Sequence, residues 1–187
     1  GNYATGPSVT IGSNETWEGE LDMVITQWGN YIMPMGGGDW VSGFGILFYS
    51  TGNTRMYSKS SFGGVEASSG VTLGTPFTAK YGYDGTNLYI NIDGTRIWEY
   101  APTAQGPQST SITDTLQLSQ QNNLSSKGNY AIQKAKLTVN SAVVFDCDFN
   151  GSTSIRHGDT KFQASVGGPV TINQSGNDPA TVIKKSV

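Results

Sequence analysis

Side chains that alternate between apolar and polar with a period of two residues are the feature that most constrains how this chain folds. The clearest case is segment 17–25. Its apolar side chains include Trp17, Leu21, Met23 and Ile25, and its acidic side chains are Glu18, Glu20 and Asp22. Successive side chains of a β-strand point to opposite faces of the sheet. This segment therefore predicts a strand with one face in a hydrophobic core and the other in water.

Turn signals between extended segments predict further strands along most of the chain. In segment 77–100, three extended stretches are separated by Asp84-Gly85 and Asp93-Gly94, and each dipeptide is typical of a tight two-residue hairpin turn. Residues 101–115 carry two prolines and are predicted to form a surface loop. The other predicted strands are 43–49, 55–58, 116–118, 130–139, 142–149, 161–164 and 170–172. Because helical periodicity is almost absent, we predict an all-β fold, a two-sheet antiparallel β-sandwich.

Length and charge indicate one stable domain and exclude several kinds of partner. A domain of 187 residues buries roughly 70% of the surface that its unfolded chain exposes. We predict a single domain, 1–187, in which residues 151–187 form a peripheral β-hairpin tail. Eleven basic and fourteen acidic residues give a net charge of −3 without a basic cluster, which argues against a nucleic-acid partner. No apolar run approaches the roughly 20 residues of a membrane-spanning helix, so we expect no membrane partner.

The single cysteine and the single histidine limit the chemistry that the chain can perform. Cys147 has no partner for an intramolecular disulfide and follows the apolar stretch 142–145, so we predict a buried thiol. With His157 as the sole imidazole, the chain lacks the His/Cys cluster that zinc or copper requires, and we expect His157 in an exposed loop. Charged residues make up only 13% of the chain, which is typical of secreted proteins, cell surfaces and virions.

Several stretches of the sequence resemble known protein families. Segment 78–95, in which a Tyr-Asp-Gly turn leads into a strand that ends at Asp-Gly, resembles the central hairpin of concanavalin A-like and laminin G-like jelly rolls, which are lectin-like domains. Segments 131–137 and 143–146 resemble the closing strands of that fold. The resemblance implies a jelly roll that recognises a ligand. Segments 158–162 and 170–176 are similar to the ends of phage tail or fibre proteins and of prophage-encoded surface proteins.

The acidic strand raises the question of catalysis, because jelly-roll glycoside hydrolases of the laminarinase type carry Glu-X-Asp-X-Glu on one strand. Alternate residues of a strand lie about 6.5–7 Å apart at Cα, a separation that two-carboxylate hydrolysis uses. Here Val24 stands where that family has its acid/base glutamate, and no Gly-X-Ser-X-Gly elbow is present for serine chemistry. We therefore expect that the chain is not an enzyme, with a jelly-roll glycoside hydrolase as an alternative.

Calcium is the one cofactor for which the sequence carries part of a ligand set. Asp146, Asp148 and Asn150 follow the first half of an Asp-X-Asp-X-Asn-Gly loop, and hard cations take several oxygen ligands. The second half fails, because position twelve is His157 where a bidentate glutamate should stand. We predict no required cofactor and name these three oxygen donors as the candidate calcium ligands.

Two loops between residues 28 and 40 combine aromatic rings, polar side chains and glycines. Sugar rings stack on exposed aromatic faces while Asn and Asp side chains fix the hydroxyls, and glycines let the backbone approach a ligand closely. The candidate ligand-binding residues are Trp28, Asn30, Tyr31, Asp39 and Trp40. The alternative interpretation is that the two tryptophans close the ends of the core.

These features predict a noncatalytic recognition module that binds carbohydrate or a cell-surface receptor. The predicted location is extracellular, on a cell surface or on a virion. An alternative is a structural subunit of a phage tail, virion or appendage, whose sheets would mediate contacts in a homo-oligomer.

Overall fold

The computed structural model describes residues 3–38, 43–58, 61–62, 66–100, 111–119, 129–149 and 160–173. Within these residues the chain forms sixteen β-strands and no helix. The strands are β1 (Tyr3–Ile11), β2 (Trp17–Gln27), β3 (Tyr31–Ile32), β4 (Met35–Gly37), β5 (Phe44–Tyr49), β6 (Asn53–Ser58), β7 (Ser61–Phe62), β8 (Ala67–Ser68), β9 (Phe77–Tyr83), β10 (Leu88–Ile92), β11 (Thr95–Tyr100), β12 (Ile112–Leu118), β13 (Asn129–Val139), β14 (Ala142–Asp148), β15 (Lys161–Gln163) and β16 (Pro169–Asn173). A helix long and apolar enough to cross a membrane does not occur in this described part of the chain.

The strands form two antiparallel sheets that pack face to face. Sheet A has ten strands in the order β15-β16-β1-β12-β4-β5-β6-β7, with β3 paired to β5 and β8 paired to β6. Sheet B has six strands in the order β11-β10-β9-β2-β13-β14. The predicted two-sheet antiparallel β-sandwich is confirmed. It follows from the alternation of buried and exposed side chains along each long strand.

The inner faces of the two sheets share one hydrophobic core. Trp17 of β2 stands edge-on to Phe44 of sheet A, with ring centroids 5.5 Å apart, and to Tyr81 of sheet B at 5.9 Å. The Tyr81 hydroxyl crosses the core and donates a hydrogen bond to the Met35 carbonyl oxygen of β4 at 3.0 Å. Cys147 is buried in the same core, as predicted. The central strands of the two sheets are therefore joined by ring contacts and by a buried hydrogen bond.

Two of the clearest sequence predictions are confirmed in detail. Burial alternates strictly from residue 17 to residue 25 of β2, and the acidic side chains lie away from the core. The turn between β10 and β11 has two residues, because Ile92 pairs with Thr95. Its central residues Asp93 and Gly94 have positive φ values of 49° and 79°, as a tight hairpin turn requires.

The predicted two-residue turn at Asp84-Gly85 is wrong. The connection from β9 to β10 has four residues, since the paired residues that flank it are Tyr83 and Leu88. The Asp84 carboxylate accepts hydrogen bonds from the backbone N–H groups of Thr86 and Asn87 and so stabilises the wider loop. The aspartate therefore acts through its side chain rather than through a left-handed backbone conformation.

The start of β12 and the presence of β1 also differ from the prediction. Strand β12 begins at Ile112, inside the predicted loop 101–115, while residues 101–110 lie outside the described residues. Strand β1, which contains Gly6-Pro7, was not predicted. In the structure these residues fall at a register shift between Thr5 and Ser8, so they form a bulge within a strand.

The hairpin of β15 and β16 lies at one edge of sheet A. Strand β16 pairs with β1 on one side and with β15 on the other. Residues 151–159 and 174–187 lie outside the described residues. The arrangement of residues 151–187 as a peripheral tail of one domain stays a prediction.

Candidate functional site

The outer face of sheet A carries aromatic and polar side chains near strands β3, β5, β6 and β8. Along β5 and β6, Phe48 and Met56 lie in the core, so their neighbours Tyr49 and Arg55 lie on the outer face. Strand β3 adds Tyr31, which is the register partner of Tyr49. We define the tyrosine face as Tyr31, Tyr49, Asn53, Arg55 and Glu66.

Tyr31 presents its ring to solvent at this surface. Its side chain is 36% exposed, and its ring stands edge-on to that of Tyr49, with centroids 5.1 Å apart and planes at 70°. Tyr49 is half-buried. The edge-on contact fixes the orientation of a ring that still reaches solvent.

The side chains of Asn53, Arg55 and Glu66, each of which ends in a planar polar group, lie beside the two rings. Asn53 Nδ2 donates to Glu66 Oε2 at 3.2 Å, and the Asn53 backbone N–H donates to Thr51 Oγ1 at 3.4 Å. Burial raises the pKa of the Tyr49 hydroxyl, and a hydrogen bond with Arg55 opposes part of that rise. An amide, a guanidinium and a carboxylate together offer both donors and acceptors to a ligand.

A small apolar cluster underlies the tyrosine face. Met33, Leu47 and Tyr57 are buried on the outer side of sheet A, and Tyr49 packs against them. Tyr57 lies close against glycine backbone, since a Cβ added at Gly45 would stand 2.6 Å from the Tyr57 Oη. Tyr49 of the tyrosine face is therefore supported by a buried apolar layer.

The structure describes three of the five predicted ligand-binding residues. Tyr31 lies on the tyrosine face, and Asn30 is exposed directly before it. Trp28 is half-buried and packs against the main core, as the alternative interpretation proposed for this tryptophan. Asp39 and Trp40 lie outside the described residues. The role of these residues in binding stays a prediction.

Sequence reasoning did not select Tyr49, Asn53, Arg55 or Glu66 as site residues. A usable signal was present in the predicted hairpin of 43–49 and 55–58. Alternation from the apolar core positions places an aromatic residue and an arginine outward on adjacent strands of that hairpin.

The outer face of sheet B is charged. Glu20 lies between two lysines, and Nζ of Lys80 and Nζ of Lys134 each stand 3.0 Å from one of its carboxylate oxygens. Burial raises the pKa of Glu20, but the hydrogen bonds from the two lysines outweigh burial, and the net pKa lies below its ordinary value. Glu20 is therefore ionised near neutral pH and is not a proton donor. We define the charged face as Glu18, Glu20, Asp22, Lys80, Lys134, Tyr89 and Arg96.

Tyr89 reaches across an entire strand of the charged face. Its register partner on β9 is Gly82, and the partner of Gly82 on β2 is Glu18. Because Gly82 has no side chain, Tyr89 spans β9 and its hydroxyl donates to Glu18 Oε2 at 2.5 Å. The guanidinium carbon of Arg96 lies 4.4 Å from the centroid of the Tyr89 ring. Burial, followed by the bond to Glu18, raises the pKa of Tyr89, so the phenol keeps its proton and orients the carboxylate.

The predicted calcium ligands are described only in part. Asp146 and Asp148 lie on β14, opposite two lysines of β13, while Asn150 and His157 fall outside the described residues. In the part of the chain that the structure describes, no group of three His, Cys, Asp or Glu side chains is placed to hold a metal ion. Calcium binding remains a prediction.

Comparison with known proteins finds similarity in structure and not in sequence. No protein-family model matches the chain, and no curated protein matches it. Among solved structures, the chain is similar to the alginate lyase AlgAT5 from polysaccharide lyase family 7, at 16% identity and a TM-score of 0.50, over 70% of this chain and 62% of that one. It is similar to a Trypanosoma rangeli sialidase in complex with 2,3-difluoro-KDN, at 9% identity and a TM-score of 0.51, over 66% of this chain and 20% of that one. It is also similar to the carbohydrate-binding module CBM66 from Bacillus subtilis, at 10% identity and a TM-score of 0.48, over 73% and 81% of the two chains.

These similarities concern the fold alone. The chain spans less than two thirds of the length of the first two structures, at 62% and 20%. The jelly-roll sandwich that the sequence predicted is confirmed, and it is consistent with a concanavalin A-like fold. The likeness to phage tail proteins and to prophage-encoded surface proteins receives no support from these structures and stays a prediction.

The expectation that the chain is not an enzyme is wrong, because the missing motifs do not exclude catalysis. The alginate lyase AlgAT5 has a similar fold, so this jelly roll is compatible with catalysis. The sequence lacks one arrangement of carboxylates on β2 and one arrangement of a serine nucleophile. A fold supports many unrelated chemistries, so the loss of two motifs does not exclude the others.

Proposed function

We propose that this domain binds carbohydrate on the tyrosine face. The observation that carries the proposal is the exposed ring of Tyr31, held edge-on to Tyr49 beside the Asn53 amide and the Glu66 carboxylate. The apolar face of a sugar ring packs on an aromatic side chain, while its hydroxyls need neighbouring donors and acceptors. This surface provides both within one region of one sheet.

Preorganisation of the tyrosine face also supports binding. The Asn53 amide is held by Glu66, and the Tyr31 ring is held by Tyr49. A tyrosine has few rotatable bonds, and side chains that are already ordered lose little entropy when a ligand arrives. The fold adds weaker support, because two proteins of similar structure are named as an alginate lyase of a polysaccharide lyase family and as a sialidase.

Calorimetric titration against a panel of oligosaccharides tests the proposal. We expect Tyr31→Ala to weaken binding about tenfold, since loss of one ring contact of roughly 1.4 kcal/mol corresponds to that factor. Tyr100→Ala is the matched control, because this tyrosine is 39% exposed on the other sheet. Its affinity should stay within about twofold of the wild type. Equal affinity of Tyr31→Ala and the wild type, or no binding of any oligosaccharide at millimolar concentration, contradicts the proposal.

A second candidate function is cleavage of a carbohydrate at the charged face. It is favoured by Glu18, whose carboxylate is oriented by the Tyr89 hydroxyl while its side chain remains 35% exposed. An oriented, accessible carboxylate is a component of acid–base chemistry on sugars. Release of products from oligosaccharides by the wild type but not by Glu18→Gln would support this candidate. Equal rates in Glu18→Gln, or no product from the wild type, would count against it. Asp93→Asn, in the turn between β10 and β11 of the same sheet, is the control.

The location and the partners of the domain are proposals that follow from carbohydrate binding. A carbohydrate ligand suits a protein located outside the cell, on a cell surface or on a virion. A cell-surface receptor that carries glycans is a compatible partner. The alternative is a structural subunit of a phage tail, virion or appendage, for which we expect a fixed homo-oligomer. The molar mass measured by light scattering distinguishes that subunit from a monomeric binding domain.

A further inference from the structure

We infer that the tyrosine face selects neutral glycans over glycans that carry acidic groups. The inference rests on the proposed function and concerns the substrate class of the same site. Its basis is that Glu66 bonds to Asn53, two residues before Arg55 on the same face of β6, and that the Glu66 and Arg55 charges both act on Tyr49.

The strand register sets this placement. In the pairing of β6 with β8, Asn53 lies opposite Ser68 and Thr54 lies opposite Ala67. Glu66 directly precedes β8, so the same antiparallel register, continued by one residue, would bring Arg55 opposite Glu66. Directly opposite residues of an antiparallel pair project to the same face of the sheet. We therefore infer that Arg55 and Glu66 lie on the same part of the outer face of sheet A.

Contacts within the tyrosine face agree with this register. Glu66 Oε2 accepts the hydrogen bond from the Asn53 amide, which lies two residues before Arg55 on the same face of β6. Burial raises the pKa of Tyr49, the Arg55 hydrogen bond and charge lower it, and the Glu66 charge raises it. Both charges therefore lie near the Tyr49 hydroxyl and act on it with opposite sign.

This arrangement determines what a ligand encounters. An acidic sugar seated beside Tyr31 would have to approach Arg55 in the presence of the Glu66 carboxylate, and the repulsion offsets the attraction. A neutral sugar meets no such penalty, because its hydroxyls both donate to carboxylates and accept from guanidinium groups.

The charged face does not provide an alternative basic surface. Its cations are compensated by carboxylates: Lys80 by Glu18 and Glu20, Lys134 by Glu20, and Arg96 by Asp84 and Glu99. The whole chain also carries a net charge of −3, so its long-range field repels anionic polymers.

The test compares neutral with acidic oligosaccharides on the wild type and on Glu66→Gln. The neutral probes are gluco-, manno- and chito-oligosaccharides, and the acidic probes are alginate and sialic acid oligomers. We expect the wild type to bind its best neutral probe at least tenfold more tightly than any acidic probe. Glu66→Gln keeps an amide oxygen for Asn53 but removes the negative charge, and it should raise affinity for acidic probes about tenfold. That gain should shrink as salt concentration rises, because exposed charges are screened.

Glu99→Gln is the matched control, because Glu99 is an exposed carboxylate on sheet B that forms an ion pair with Arg96 and lies outside the tyrosine face. Its preference should equal that of the wild type. Tighter binding of an acidic probe by the wild type overturns the inference and leaves the proposed function standing. An unchanged preference in Glu66→Gln also overturns the inference. Absence of binding to all neutral and acidic probes overturns the proposed function itself.

Discussion

Replacement of Tyr81 by phenylalanine tests how the two sheets are joined. The Tyr81 hydroxyl is fully buried and donates to the Met35 carbonyl oxygen of the opposite sheet at 3.0 Å. Phenylalanine keeps the ring contact with Trp17 but removes this donor and leaves the carbonyl without it. Loss of one partner of a buried hydrogen bond costs about 1–2 kcal/mol. For a chain of this length that corresponds to a fall in Tm of about 2–8 °C.

Because of the same hydroxyl, the free energy of unfolding should fall as pH rises into the alkaline range. Burial, with a smaller contribution from Tyr57, raises the pKa of Tyr81 well above the ordinary value of 10.0. The stability that this group contributes is complete below pH 10 and is lost at higher pH, because only the unfolded chain releases the proton. Above pH 10 the wild type should lose about 1.4 kcal/mol per pH unit more than Tyr81→Phe.

Urea unfolding followed by tryptophan fluorescence, at pH 7 and at a series of values above pH 10, measures both effects. Tyr100→Phe serves as the control, because its side chain is 39% exposed. It should leave the free energy of unfolding unchanged within about 0.5 kcal/mol. Equal stability of Tyr81→Phe and the wild type at pH 7, together with parallel losses above pH 10, would refute the buried hydrogen bond between the sheets.

Two further substitutions test the outer face of sheet B. In Gly82→Ala the new methyl group would collide with the carbonyl oxygen of Trp17 on the adjacent strand. We expect the free energy of unfolding, measured with urea, to fall by roughly 3 kcal/mol. An unchanged urea midpoint would contradict the close approach of β9 and β2. Glu20→Gln should cost about 0.5–1 kcal/mol at pH 7, because the carboxylate is held between two lysines. Burial raises the pKa of Glu20, but the lysine hydrogen bonds lower it further, and the net value lies below the ordinary 4.5. The difference between wild type and variant should therefore persist above about pH 4.5 and disappear as pH falls through the folded-state pKa; a constant difference down to pH 2 would contradict it.

Local sequence signals were sufficient to predict the fold class and several of the long strands, among them β2, β13 and β14. Strict alternation in segment 17–25 fixed which face of β2 meets the core, and the turn at Asp93-Gly94 needs only the conformations of its own two residues. Both features depend on neighbours within a few positions along the chain. Strand β1 was not predicted, and its irregularity between Thr5 and Ser8 is defined only by the register with the strand that pairs with it.

The functional surfaces depend on contacts between distant parts of the chain. Tyr89 bonds to Glu18 across 71 positions of sequence, and only the register of three strands shows that Gly82 lies between them. Glu66 likewise bonds to Asn53, 13 positions earlier, beside the pairing of β6 with β8. Residue type alone identified Tyr31 as a candidate, but its partners are set by sheet topology, which no local pattern specifies.

Mapping of chemical shift changes by NMR during titration with a neutral oligosaccharide tests the central claim most directly. We predict that the largest changes fall on Tyr31, Tyr49, Asn53 and their neighbours on the outer face of sheet A, and that they saturate with one affinity. Changes confined to Glu18, Tyr89 and the rest of the outer face of sheet B, or no changes at millimolar ligand, would contradict carbohydrate binding by the tyrosine face.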